Sequence, residues 1–234
     1  MRKNDIIQDQ IDYYRARAGE YDEWFYRRGR FDHGEDFNRK WFAQIADVAC
    51  ALDAFAPKGQ VLELACGTGL WTQRLLHHAD SLTALDAAPE ALEINRQRIA
   101  DDRVRYLQAD LFSWEPEERY DVVYFSFWLS HVPPEYFASF WSLVCQCLAP
   151  GGRAFFVDSL YEPTTTARNH QLLGKNSTVQ DRKLNDGRTY RIVKIYHQPE
   201  SLSAKLGDLG WEAAIRQTDN YFLYGSARPT GSET

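Results

Sequence analysis

Val61-Leu-Glu-Leu-Ala-Cys-Gly-Thr-Gly69, continued by Leu70-Trp-Thr-Gln-Arg-Leu-Leu76, is the stretch that decides the fold. Four residues suited to a buried strand enter a turn of small residues, and the turn enters an amphipathic run read as a helix over 71–78. Glycines at 67 and 69 let the backbone approach a ligand closely, and a helix opening there aims free N–H groups and a positive dipole end at it. Glu63 places a carboxylate inside the strand end, where a purely structural strand rarely carries one. The combination reads as a site for a nucleotide-type cofactor.

Outward from this stretch, strands and helices alternate. The strand over 61–65 and helix over 71–78 are followed by a strand over 82–85 ending at Asp86 and a helix over 89–99 with Pro89 in its first turn. A strand over 104–108 ends near Asp110; a strand over 121–125, a helix over 135–147 and a strand over 152–157 complete the series. Such alternation requires crossover connections, hence a parallel sheet with helices on both faces. Ligands of such sheets lie outside the carboxyl ends of the strands, and Gly67, Asp86, Asp110, Ser126 and Asp158 fall at or just past those ends. Ahead of the series, 6–23 and 38–55 read as helices, the second ended by Pro57-Lys-Gly59. Behind it, runs at 178–184 and 188–196 flank Asn185-Asp-Gly187, a strong hairpin signal. A helix over 199–207, strands over 211–216 and 221–227, and a short polar end at 229–234 follow.

The balance of 27 Lys and Arg against 33 Asp and Glu, a net charge of −6, argues against a general nucleic-acid binder. A length of 234 residues supports one substantial core. No run of about eighteen apolar residues exists, so no membrane span is expected. Met1-Arg-Lys-Asn-Asp5 opens a charged helix without the apolar centre of a signal peptide, so a cytoplasmic protein is expected. Cys145-Gln-Cys147 has no second pair, so no zinc or other metal site is expected, and apolar neighbours predict buried thiols for all four cysteines.

Glu63-x-Ala65-x-Gly67-x-Gly69, with Asp86 after the second strand and Asp110 after the third, resembles the Rossmann-like S-adenosylmethionine-dependent methyltransferases over residues 10–228. The resemblance implies an α/β fold with a seven-stranded, mostly parallel sheet, helices on both faces, an N-terminal helical lid and an inserted β-hairpin. One domain over 1–234 is expected, divided into a helical cap (1–57), a cofactor-binding core (58–158), an acceptor-side insertion with the hairpin (159–198), and a closing helix and strand pair (199–228). Ala65 stands where the family commonly has its first glycine, and a slightly wider turn is expected there. Asp86-Ala87, 23 residues beyond Glu63, offers the cofactor ribose a bidentate acceptor. Asp110-Leu111 offers a carboxylate for the adenine amine and an apolar edge for the ring, and Gly67 and Gly69 let the methionine portion lie against backbone. A dinucleotide enzyme wants a glycine three residues after the second, where this chain has Thr72. Tyr13-Tyr-Arg-Ala-Arg-Ala-Gly-Glu-Tyr21-Asp22 resembles the helix that closes over the cofactor in many members. Tyr14 and Tyr21, seven apart, share a helical face that either covers the cofactor or packs on the sheet edge. Arg17 could pair with the cofactor carboxylate or stay solvated; Trp71 and Trp128 could wall the sulfonium or belong to the core. The cofactor-binding candidates are Tyr14, Arg17, Glu63, Ala65, Gly67, Gly69, Trp71, Asp86, Ala87, Asp110, Leu111 and Ser126.

Phe125-Ser-Phe-Trp-Leu-Ser-His131-Val-Pro-Pro134 follows the fourth strand, where the methyl acceptor is expected. His131 could serve there as a base, as a donor to an anionic acceptor, or as a cap on the next helix. A two-residue Asp186-Gly187 turn pairs Asn185 with Arg188 and sets Arg182 opposite Arg191, which is unfavourable unless an anion or solvent separates them. Lys194 then faces the other way unless a bulge intervenes. Tyr13-Tyr-Arg-Ala-Arg17, Leu62-Glu-Leu-Ala65, His131-Val-Pro133 and Asp186-Gly-Arg-Thr-Tyr-Arg-Ile-Val-Lys194 are similar, within the family, to phosphonate O-methyltransferases. That resemblance implies a phosphonate oxygen held by basic and tyrosine side chains, with Tyr21, His131, Arg182, Arg191 and Lys194 as catalytic or acceptor-binding candidates. The expected partner is a small anionic acceptor, phosphonate or carboxylate, of specialised metabolism, with no nucleic acid or membrane, and the chain a monomer or homodimer. Two alternatives stay open: N- or C-methylation of a neutral aromatic molecule with His131 as base, and non-catalytic S-adenosylmethionine binding. A nucleic-acid methyltransferase is disfavoured by charge and by the lack of an Asn/Asp-Pro-Pro-aromatic motif after the fourth strand.

Overall fold

In the computed structural model, which describes residues 3–231, β1 (Gln60–Leu64) is sealed on both faces as the third strand of a seven-stranded sheet. Its neighbours β2 (Ser81–Asp86) and β4 (Tyr120–Ser126) are both parallel to it. β3 (Val104–Gln108) lies beyond β2; β5 (Leu148–Ser159), β9 (Phe222–Pro229) and β8 (Trp211–Gln217) lie beyond β4, with β9 antiparallel to both its neighbours. Unbroken apolar runs suit strands covered on both sides. Val61, Leu82, Val122 and Phe155 pack under α3 (Glu35–Phe55), α4 (Thr72–Leu75) and α5 (Pro89–Ile99). Leu62, Leu85, Val123 and Phe156 pack under α6 (Phe137–Cys147) and α7 (Pro199–Asp208). Strand order reverses between β1 and β4, the switch point where sheets of this kind open a ligand crevice.

Several elements depart from the expectation. The helix over 6–23 is broken into α1 (Lys3–Arg17), a 3-10 turn (Ala18–Glu20) and α2 (Tyr21–Phe25), because Gly19 weakens the helix where Trp24 must drop into the core. The helix over 71–78 shrinks to α4; beyond it His77 and His78 donate to carbonyls three residues back, turning Ala79 into the core. One helical turn has little dipole, so any anion-holding power here comes from the turn's own N–H groups. Cys50 and Cys145 are exposed, not buried: on α6, Cys145 and Cys147 are two apart and face opposite ways.

The hairpin pairs β6 (Val179–Lys183) with β7 (Thr189–Val193), but its loop has three residues. Gly187 N–H donates to Leu184 O at 3.1 Å, Leu184 N–H donates to Arg188 O at 2.8 Å, and Gly187 takes the positive φ of +91°. Asp186 lacks the positive φ that a two-residue Asp186-Gly187 turn of the primed kind would demand of it. The register therefore moves by one: Asp181 faces Arg191, and Arg182 faces Tyr190. Among the described residues no helix is long and apolar enough to cross a membrane. The charged start at Met1-Arg2 and the last three residues of the polar end lie outside the described residues.

Candidate functional site

At the carboxyl end of β1 the backbone reverses through three left-handed residues, Ala65 (φ +52°), Gly67 (+54°) and Gly69 (+89°). A Cβ on Gly67 would meet nothing within 4 Å, and Gly67 lines the cavity described below. Ala65 carries the left-handed conformation itself, at a cost of about 1–2 kcal/mol, so the glycine it replaces is a matter of backbone angle and not of turn width. Gly69 serves packing instead of ligand approach: a Cβ there would stand 2.6 Å from Oδ1 of buried Asn95.

Glu63 lies behind the turn, not in the cavity. Thr72 Oγ1 donates to Glu63 Oε2 at 2.5 Å, Asn95 Nδ2 to Thr72 Oγ1 at 3.0 Å, and Tyr106 Oη to Asn95 Oδ1 at 3.1 Å. This chain explains Thr72, since a glycine there would leave the carboxyl without its donor. Trp71 likewise packs on Tyr124 and Phe25. Burial pushes the Glu63 carboxyl from an ordinary 4.5 to about 8, against the Thr72 hydrogen bond and reinforced by nearby Asp86. Folding thus favours the protonated form: its contribution is complete below the unfolded pKa and is lost as pH rises through about 8, by about 1.4 kcal/mol per unit. Denaturant unfolding between about pH 5 and 8 is expected to show stability falling with pH in a way that Glu63→Gln flattens. Equal slopes in the two proteins would contradict the assignment.

A first cavity opens over the carboxyl ends of β1 to β4. Tyr14, Ala65, Gly67, Asp86, Ala87, Asp110, Leu111 and Ser126 line it, and Tyr21, Trp128 and His131 join them. Asp86 Oδ2 accepts from Gly67 N–H and Oδ1 from Ala88 N–H, both at 2.9 Å, so one carboxylate binds the turn to the start of α5. Each oxygen keeps further acceptor capacity. Asp110 Oδ1 accepts from Phe112 N–H at 3.0 Å. The cap is tied to the turn by Thr68 Oγ1, which donates to Asp22 Oδ1 at 2.6 Å, and by the Arg98–Asp22 ion pair.

A second cavity shares Tyr14, Tyr21, Phe127 and His131 with the first, and is otherwise built by α1, Trp24 and Phe31, the 159–170 stretch and the hairpin with Lys194 just past it. Phe127 holds a φ of +54°, strained for so bulky a residue, while its ring packs on Trp24 at 4.7 Å. Arg17, Arg182 and Lys194 line this cavity, and among the described residues no Asp or Glu does. Arg17 Nε and Arg182 Nη1 are buried without a hydrogen-bond partner. Arg17, a candidate for the first cavity, thus sits in the second, its guanidinium 4.8 Å over the Tyr21 ring. The shifted register puts Arg182 on the same face as Lys194 and turns Arg191 away. Arg191 is exposed and paired with Asp181 at 3.1 Å, so it leaves the candidate site and no like-charge pair arises. Lys194 is buried; its Nζ donates to Ser130 Oγ at 2.7 Å and lies 3.5 Å from Asp158 Oδ1. Burial lowers its pKa, and Asp158 opposes that shift.

In an antiparallel ladder every second residue points its N–H and C=O outward, and Val193 is one of these. Its N–H donates to Gln10 Oε1 at 3.2 Å, and its carbonyl lies 2.7 Å from His131 Nδ1. A carbonyl has no proton to give, so Nδ1 carries one. Burial, aided by Lys194, holds the His131 pKa well below its usual value, leaving the ring neutral. Nε2 then accepts from Tyr14 Oη at 2.8 Å. His131 is therefore no charged donor, and its reach toward a ligand runs through the Tyr14 hydroxyl. Gln10 Nε2 donates to the His131 carbonyl at 3.1 Å, joining helix, histidine and hairpin.

Gln10, Phe127 and His170 escape the sequence reading. Gln10 has a signal, since 10, 13, 14, 17 and 21 form one helical stripe. Phe127 and His170 have none: a strained φ and an irregular segment leave no periodicity.

Residues 61–152 match the family described as a methyltransferase domain. DhpI, solved with SAM and HEP, shares 36% identity at a TM-score of 0.81, covering 98% of this chain and 100% of its own. Its SAH complex gives 35% and 0.80. Nodulation protein S of Rhizobium tropici is 28% identical over 127 residues, 53% of this chain and 51% of that protein. Malonyl-[acyl-carrier protein] O-methyltransferase of Paenibacillus sp. (strain JDR-2) is 32% identical over 116 residues, 44% and 42% respectively. The chain thus spans about half, or less, of the length of these curated relatives.

Proposed function

The chain belongs to the S-adenosylmethionine-dependent methyltransferases, and from that premise we propose that it methylates an anionic oxygen, phosphonate or carboxylate, of a small molecule. One observation carries this reading: Arg17, Arg182 and Lys194 line one cavity without a carboxylate, against the wall of the cofactor cavity, and Arg17 Nε and Arg182 Nη1 are buried without a partner, while Lys194 has Asp158 behind it. Buried cations without counter-charges are costly, and a bound anion removes that cost.

The first cavity suits the donor, because Gly67 leaves open the space that any Cβ would fill. Asp86 would take the ribose hydroxyls, Asp110 and Leu111 the adenine, and Ala65, Gly67, Ala87 and Ser126 the remaining edge, with Tyr14 from the cap. When bound, S-adenosylmethionine supplies a methyl group already activated by its sulfonium. An ionised acceptor oxygen needs no base, so the protein's work is alignment and exclusion of water. Arg182, Lys194 and Arg17 would hold the acceptor, while Tyr21 and the Tyr14–His131 pair would orient it at the shared wall. For an acceptor that arrives protonated, Tyr14 could pass a proton to His131 Nε2. We read the acceptor as a small metabolite of specialised metabolism, met in the cytoplasm.

Methyl transfer from labelled S-adenosylmethionine to a panel of small phosphonates, carboxylates and neutral phenols or indoles tests the proposal. Turnover confined to the anions is expected. Turnover confined to the neutral aromatics would sink it and favour the aromatic walls, Tyr13, Trp24 and Phe127, as the recognition surface.

A further inference from the structure

We propose that His170 is an acceptor-binding residue of this enzyme, presenting an uncharged N–H donor beside the guanidinium groups of the second cavity; the inference rests on the anion reading above. The hairpin fixes the tautomer of the ring. Lys183 faces Thr189, one residue from the bonded Leu184–Arg188 pair, so its N–H and C=O point out of the ladder. Both lie 3.1 Å from His170 Nε2. Arg30 already donates to the Lys183 carbonyl, which leaves the Lys183 N–H with His170 Nε2 as its acceptor. A neutral imidazole whose Nε2 accepts carries its proton on Nδ1. Nδ1 is buried and has no partner, and the residue lines the cavity.

The ring stays neutral for a physical reason. Burial, with Arg182 and Arg30 close by, pushes its pKa down to about 4. His170 is held in place by its own N–H, which donates to Ala167 O at 2.9 Å, and by Arg168 N–H, which donates to Arg30 O at 2.9 Å. Three residues of the cavity lining thus each carry an unpartnered donor: Arg17 Nε, Arg182 Nη1 and His170 Nδ1. A third donor without charge adds direction to anion binding. It does so without deepening the ion pair, which would quiet the acceptor oxygen as a nucleophile.

The test is calorimetric titration of methylphosphonate, with acetate in parallel, into the chain loaded with S-adenosylhomocysteine. His170→Gln keeps an acceptor within reach of the Lys183 N–H and removes the Nδ1 donor; His170→Asn restores a donor near that point. Expected are a loss of about tenfold or more in methylphosphonate affinity for His170→Gln and substantial recovery in His170→Asn. Affinity for S-adenosylhomocysteine is expected to stay within about twofold in both. Unchanged methylphosphonate affinity in His170→Gln, or a parallel loss of S-adenosylhomocysteine affinity, overturns the assignment. If Arg182→Ala abolishes methylphosphonate binding while His170→Gln does not, the anion reading survives and His170 falls. A wild-type chain that binds neither anion brings down both.

Discussion

Arg182→Ala is expected to lower kcat/KM for the acceptor by about 10²–10³-fold while leaving S-adenosylmethionine affinity within about twofold. The guanidinium lines the second cavity only, with Nη1 buried and unpartnered, so an acceptor anion would be its sole counter-charge there. Removing one partner of a buried charge pair costs about 3–5 kcal/mol, of which neighbouring Arg17 and Lys194 recover part. Arg191→Ala is the matched control. Its guanidinium is exposed and bound to Asp181, a pair of the kind worth about 0–1 kcal/mol, and a change of no more than about twofold is expected. Steady-state kinetics on both variants with the best acceptor from the panel decides the matter. A larger loss in Arg191→Ala would mean that the hairpin closes on a two-residue loop in the active protein, with Arg191 turned inward.

That contrast marks where the sequence stops being legible. The parallel sheet could be read because each central strand is a continuous apolar run ended by a turn. The strand-end residues that line the first cavity, Gly67, Asp86, Asp110 and Ser126, follow from that topology alone. Glu63, Gly69 and Trp71 read in the sequence as ligand residues but support the turn from behind. Composition does not separate the two faces of a tight turn, since both demand small or hydrogen-bonding residues. Arg191 failed for a sharper reason: one extra loop residue moves every side chain of a strand to the opposite face. His170 was out of reach because long-range contacts hold its segment. Trp24 Nε1 donates to Thr165 O at 2.9 Å and His33 Nε2 to Thr166 O at 2.8 Å, each across more than 130 residues of sequence. The region 24–36 thereby shapes the second cavity and supplies Trp24 and Phe31 to its wall.

Asp86→Ala is expected to weaken S-adenosylmethionine binding by about 10²–10³-fold, the loss of two hydrogen bonds to a charged acceptor at about 1.5–3 kcal/mol each. The substitution has a second consequence, because Asp86 also takes the N–H groups of Gly67 and Ala88 and so fastens the turn to α5. A loosened turn and a lost ribose contact both weaken binding, and affinity for the whole cofactor does not tell them apart. The ribose itself can. If Asp86 holds the diol, wild-type protein should prefer S-adenosylhomocysteine to its 2′-deoxy analogue by about tenfold or more, and Asp86→Ala should show almost no preference. A loosened turn would weaken both ligands equally and keep the preference intact. Asp86→Asn sharpens the distinction: it retains one acceptor oxygen but turns an amide N–H toward Gly67 or Ala88, setting donor against donor. It should therefore bind the cofactor little better than the alanine variant, despite being closer in shape to the native residue. An asparagine variant with nearly native affinity would show that the charge of Asp86, and with it the ribose assignment, is dispensable.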